Sequence, residues 1–179
     1  MTFQHVLDFW FEELSPQQWF SVDDQVDRLI SERFEGLLKQ ACAGELFTWR
    51  DTAKGSLAEV IVLDQFSRNI YRGSSAAFSQ DGLALALAQT ALEKQFDRQL
   101  SLNERGFMYM PYMHSESLLI HQQAERLFNQ PGLENNYQFE LKHKIIIEQF
   151  GRYPHRNALL GRPSSQAELE FLAGPNSSF

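Results

Sequence analysis

Apolar residues recur at three- and four-residue spacing from Phe3 to Leu172, and no segment sustains the period-two alternation of a half-buried strand. That pattern confines the chain to an all-α fold, with helices in antiparallel pairs joined by short loops. Phe3, Val6, Leu7, Trp10 and Leu14 mark one face of a first helix, which Pro16 stops. A second helix is predicted from Val22 to Ala43, with Ser21 as its N-cap and Gly44 just past its end. Asp24–Arg28 and Glu35–Lys39 are pairs four residues apart on it. SLAE at 56–59 reads as a capping box for a third helix running to Tyr71, with Gly73 beyond it. A fourth helix is expected from Phe78–Ser79 through Phe96. A second capping box, SLNE at 101–104, opens a fifth, which Pro111 should kink or restart near Met110 before it continues to Phe128. A sixth spans Tyr137 to Phe150 and ends at Gly151. SSQAE at 164–168 caps a short last helix through Leu172.

Hydrophobic residues make up 43% of the 179, with 15 Phe, so a single helical domain over 1–174 needs no metal or disulfide staple. Residues 175–179 read as a loosely ordered tail. A net charge of −7 repels a phosphate backbone, and no nucleic-acid partner is expected. Cys42 is the only cysteine, which excludes an internal disulfide and a cysteine-based zinc site. No apolar run reaches the length of a membrane span, and the first ten residues lack the pattern of a secretory signal. The expectation is a cytoplasmic protein with no membrane partner. Phe9, Trp10 and Phe11 share the first helix with Asp8, Glu12 and Glu13 rather than with Lys or Arg, so this aromatic helix is expected to dock on the core.

One phrase is written twice. VLDQFSRN at 62–69 and IEQFGRYPHRN at 147–157 each run apolar residue, carboxylate, Gln, Phe, small residue, Arg. The copies lie 148 − 64 = 84 positions apart, too far to set a helical-repeat period. Each closes a segment that is apolar over more than one helix face, so its polar residues are expected to be buried or half-buried. Asp64–Arg68 and Glu148–Arg152 are acid-before-base pairs four residues apart, and each Arg sits where a helix C-terminus favours a cation. In one reading these are structural ion pairs locking two helix ends. In the other, Arg68, Asn69 and Arg72 join Arg152, His155, Arg156, Asn157 and Arg162 in a donor-rich pocket for a carboxylate or phosphate. Five of the 16 Lys and Arg fall in these two stretches.

MYMPYMHSE at 108–116 adds a proline kink, two tyrosines able to donate hydrogen bonds (Tyr109 and Tyr112), and His114 and Glu116. On a continuous helix His114 and Glu116 point about 200° apart and cannot chelate one ion. His114, His121, His143 and His155 show no ligand spacing, so no metal site and no cofactor are expected. Phosphate-loop, dinucleotide, nucleophile-elbow and zinc-protease motifs are absent. Cys42 has only Lys39 as a basic neighbour and reads as an inert thiol.

VLDFWF, Trp19–Phe20, LDQFSRNIYRG, Ala77–Phe78 with Asp81, YMPYMHSE and FGRYPHRNALLGR occur in this order. This set resembles the bacterial family known as domain of unknown function 924, from about Val6 to Leu172. Asp64, Gln65, Arg68, Asn69, Asp81, His114, Glu116, Gly151, Arg152, Pro154, His155, Arg156 and Asn157 fall on its motifs. Ser67 stands where the family often has Pro, and Tyr153 where Phe is common. The family is similar in fold to tetratricopeptide-like helical proteins, which implies an array of about seven helices and, by analogy, a groove for a peptide or protein. It implies no activity.

Three functional expectations follow. The first is a binding module whose Arg68, Asn69, Arg72, Tyr109, Tyr112, His114, Glu116, Arg152, His155, Arg156 and Asn157 receive a small anion or a peptide carboxylate. The second is a hydrolase with His114 or His155 as acid or base, Glu116 as its orienter and the arginines as charge stabilisers. The third is a structural scaffold with buried ion-pair locks that presents another surface to a protein partner. Whether the two phrase ends meet, and the oligomeric state, are left open by sequence.

Overall fold

The computed structural model describes residues 1–175 and Ser177, and among them there is helix but no strand. The expected loose tail falls mostly on residues 176, 178 and 179, which lie outside the described residues. The chain divides into two compact units: Met1–Arg72 with Ala76–Pro111, and Gly73–Ser75 with Tyr112–Phe179.

The first unit opens with α1 (Phe3–Asp8), continued by a π-helical turn over Phe9–Glu13. α2 (Asp24–Cys42) starts later than Val22, because Asp23 rather than Ser21 caps it. The Asp23 carboxylate accepts the Gln25 and Val26 N–H groups at 2.8 and 3.2 Å. Gly44 past its end holds φ +73°, as expected. Glu35–Lys39 pairs at 2.8 Å. Asp24 and Arg28 form no ion pair among the described residues.

α3 (Ala53–Ile61) is capped by Thr52, whose hydroxyl accepts the Gly55 N–H at 3.1 Å. Ser56 and Glu59 therefore lie inside the helix and SLAE is not a capping box. Glu59 instead takes both arms of Arg50, at 2.7 and 2.6 Å. A π-helical turn over Val62–Phe66 leads into α4 (Ser67–Ile70). The fourth predicted helix is shorter than expected. α5 covers Asp81–Glu93, and the chain leaves it through Gln95 at φ 58°. α1 packs on α3, α2 on the Val62–Phe66 turn and α4, and α3 on α5. The core between them is aromatic: Phe9 lies 5.0 Å from Phe34, Phe34 4.8 Å from Phe66, and Trp10 5.7 Å from Phe66, ring centre to ring centre.

α6 (Leu102–Met113) begins with the predicted capping box: the Ser101 N–H and hydroxyl donate to Glu104 at 2.9 and 2.8 Å. Pro111 sits inside it, and the boundary between the units falls there. The helix does not continue to Phe128. It ends at Met113, and α7 (Leu118–Phe128) is a separate helix. Pro111 lacks the N–H that the Phe107 carbonyl would accept, and the helix runs only two residues beyond it.

In the second unit α7 packs against α8 (Glu134–Phe150), which Gly151 ends at φ 68°. Ser165 and Glu168 form the capping box of α9 (Gln166–Leu172), as predicted. Ile146, Ile147 and Tyr153 form a buried cluster with Phe150 and Phe171 against it. No described helix is long and apolar enough to cross a membrane.

Candidate functional site

The first copy of the repeated phrase forms its expected pair and then adds a second carboxylate. Arg68 Nη1 donates to Asp64 Oδ1 at 3.0 Å and to the Asp64 carbonyl at 2.8 Å. Its two arms also take both oxygens of Asp81, at 2.9 and 3.0 Å. Asp64 is buried beneath it. The next residues repeat the arrangement on α2. Asn69 Nδ2 donates to Asp27 Oδ1 at 2.8 Å, and Arg72 Nη2 donates to the same oxygen at 2.9 Å. Burial pushes the Asp27 carboxyl up, but the bonds from Arg72 and Asn69 outweigh it and its pKa lies below the usual value. Tyr109 donates its hydroxyl to Asp97 at 2.8 Å, and Tyr112 is buried.

The second copy corrects the sequence reading. Arg152 does not pair with Glu148, whose nearest cation is Lys144 at 3.6 Å. Arg152 follows the left-handed Gly151 and has left the helix axis, so it reaches forward to α9. There its Nε and Nη2 hold Glu168 at 2.6 and 2.8 Å, and Nη2 also donates to the Pro163 carbonyl at 2.9 Å. These bonds hold the Glu168 carboxyl far below its ordinary pKa. Asn157 bridges the same loop, donating to Ser164 Oγ at 3.1 Å and accepting from Arg162 Nε at 2.9 Å.

Glu116 stands at the centre of this loop. Arg162 clasps it through two arms at 2.7 and 2.9 Å, and the Tyr153 N–H donates to it at 2.7 Å. Burial raises its pKa, these donors lower it, and the net value lies below the usual carboxylate range. The C-terminal end of α6 supplies the remaining acceptors. Three successive carbonyls, from the last residue of the helix onward, find side-chain donors: Met113 from Tyr153 Oη at 2.5 Å, His114 from Arg156 Nη2 at 3.0 Å, and Ser115 from His121 Nε2 at 2.8 Å. The Arg156 guanidinium also lies 4.6 Å from the centre of the Tyr153 ring.

Because a carbonyl only accepts, His121 carries its proton on Nε2. Its Nδ1 faces Glu140 Oε1 at 2.7 Å, so a further proton is shared between those two atoms. Both side chains are fully buried. Burial raises the Glu140 pKa, and Glu140 Oε2 has no hydrogen-bond partner. His143, on the same helix, donates Nδ1–H to the Phe139 carbonyl at 2.7 Å. His155 stacks obliquely on Tyr153 at 5.5 Å. Among the described residues no three His, Cys, Asp or Glu side chains are grouped to hold a metal ion.

Sequence reasoning named the arginines, Tyr109 and His121 and missed most of their partners. Asp27, Asp97, Glu140 and Glu168 lie 12 to 45 residues from the groups they bind. Only Glu168 had a local signal, as the third residue of the α9 capping box. Sequence reasoning also missed an aromatic cluster at the surface of the first unit. Phe11, Trp19 and Phe20 gather around Phe107 of α6 at ring distances of 5.6, 5.1 and 6.1 Å, and Phe20 lies nearly parallel to Phe107 at 7°. The Trp19 indole N–H donates to the Trp10 carbonyl at 2.6 Å. Phe9 and Trp10 dock in the core as expected, but Phe20 is 68% exposed and the adjoining Val22 74%.

A family described as bacterial protein of unknown function (DUF924) matches residues 6–176. Among solved structures, a protein of unknown function from Agrobacterium tumefaciens is similar at 35% identity with a TM-score of 0.90, over 95% of this chain and 96% of that one. The comparison with curated proteins found no match.

Proposed function

We propose, on the premise that this chain belongs to the DUF924 family of bacterial proteins of unknown function, that it is a helical binding module for a protein or peptide. In this reading its arginines are internal locks rather than an anion trap. One observation carries the reading. Arg68, Arg72, Arg152 and Arg162 each place two guanidinium nitrogens on a carboxylate of the chain itself. An arriving anion would have to displace a carboxylate already held in fork geometry, and would leave that carboxylate half-buried and unpaired. The hydrolase reading loses its orienter in the same way, since Glu116 is committed to Arg162 and the Tyr153 N–H. The resemblance to tetratricopeptide-like arrays, which bind peptides, agrees with the module by analogy.

Thermal melting against phosphorylated metabolites, dicarboxylates and divalent metals, beside Arg156→Ala and Arg162→Ala, tests it. The expected result is no stabilisation by any small anion, with Arg162→Ala melting lower on its own. That loss is on the order of 2 kcal/mol, below the range for fully buried pairs because about a quarter of each side chain stays exposed. A small anion that raises Tm by several degrees only when Arg156 is present would overturn the reading. It would return function to Arg156, His114 and His155.

A further inference from the structure

We infer that the cluster of Phe11, Trp19, Phe20 and Phe107 is the docking surface of this module, and that its occupant is a basic segment of another protein anchored by an apolar or aromatic side chain. The inference rests on the binding-module reading and adds to it the place and the partner chemistry.

Two independent features point to this surface. The first is the contiguity of the rings. Phe107 is buried in α6 and forms a floor, Phe11 and Trp19 meet edge to face at 5.8 Å, and Phe20 lies over the floor with most of its surface in water. Nothing in α2 requires Phe20 or Val22 to be apolar, because Asp23 caps that helix and the buried stripe begins at Val26. An exposed aromatic side chain resting on buried rings matches the anchors that carry most of the energy of a protein interface. Its open π face also attracts a guanidinium or ammonium group.

The second feature is charge. Residues 1–27 contain Asp8, Glu12, Glu13, Asp23, Asp24 and Asp27 and neither Lys nor Arg. Asp27 is neutralised by Arg72, and Glu13 by Arg33, which places its guanidinium 4.6 Å from the Phe9 ring. Glu12 and Asp24 are exposed and form no ion pair among the described residues, although Arg72 is near enough to feel the charge of Asp24. An acidic partner would be repelled. A second copy of this chain would bring the same acidic residues against themselves. A basic segment supplies complementary charge and the cation for the ring face.

The experiment titrates the full chain with short synthetic peptides of three compositions, following intrinsic tryptophan fluorescence and the anisotropy of a labelled peptide. One set is basic and apolar, one replaces Lys and Arg by Glu, and one keeps the basic residues but replaces the apolar ones by Ser. Binding is expected only for the first set. Phe20→Ala should weaken it roughly tenfold, the scale of one aromatic anchor. Raised salt should weaken it further, and Phe47→Ala, an exposed ring elsewhere, should leave it unchanged. Phe20→Ala should melt at the parent temperature, which separates lost contact from lost fold. The inference is overturned if no set binds or if the Glu set binds. It is equally overturned if sedimentation reveals a dimer that Phe20→Ala dissolves. Basic peptides that bind with no dependence on Phe20 overturn the surface and leave the module standing, whereas an anion requiring Arg156 overturns the module.

Discussion

His143 is nearly buried, and burial pushes its pKa from 6.5 down to about 3, with His114, His121 and His155 adding to the shift. The folded protein therefore holds it neutral. A depressed folded value means that its contribution is fully present above pH 6.5 and is lost as pH falls from 6.5 toward 3. Glu116 acts in the same direction at lower pH, since its folded pKa also lies below the ordinary value. Melting curves from pH 7 to pH 4 should show Tm falling from about pH 6.5, and His143→Gln should delay that fall to the carboxylate range. Glu140 has the opposite sign: its raised pKa means that the stability it contributes is lost as pH rises. Because His121 and Glu140 share a proton in a dry environment, either change to Ala alone should cost about 3–5 kcal/mol. The double change should cost less than the sum, with a coupling of about 1–3 kcal/mol in a denaturant double-mutant cycle.

Two glycines decide how helices begin and end. A Cβ on Gly55 would lie 2.2 Å from the Trp49 carbonyl oxygen, which is backbone and cannot swing aside. Gly55→Ala should therefore cost more than about 2 kcal/mol, although alanine is the better helix former. Gly151 holds φ 68° with open space around it, so Gly151→Ala meets only the left-handed penalty of about 1–2 kcal/mol. Urea melts of the two variants should preserve that ranking. These elements also show which local signals suffice. The strings at 101–104 and 164–168 were legible as caps because their Ser and Glu bond within a single turn, whatever else the Glu holds: Ser101 donates to Glu104 and the Ser165 N–H to Glu168. SLAE was not, since Thr52 opens the helix one turn earlier and Arg50 claims Glu59.

At the scale of the whole molecule, charge sets the field that any partner meets. A chain with a net charge of −7 whose helix-end arginines are already paired offers phosphate no basic stripe. Gel shifts with duplex DNA at low salt should show no retardation, and retardation lost on charge reversal at Arg152 or Arg162 would contradict that account. The core of the first unit is built from Phe9, Trp10, Phe34 and Phe66, and the second unit holds the cluster of Ile146, Ile147 and Tyr153. Each copy of the repeated phrase ties its own unit, by α2 and α5 in the first and by α9 in the second.

Legible in the sequence were the helical class, the caps at 101–104 and 164–168, the burial of the first aromatic helix and the pairing of Asp64 with Arg68. All of these depend on residues within one or two turns of each other, where periodicity and capping chemistry act. Only the packed fold set which carboxylates Arg50, Arg72, Arg152 and Arg162 hold. It redirected Arg152 from Glu148 to Glu168, and it committed Glu116 to Arg162 rather than to a histidine. It also left Phe20 in water upon a ring from α6, 87 residues later. The physical reason is reach. A guanidinium fork or an aromatic face finds its partner across space, and the distance along the chain between the two carries no trace of that choice.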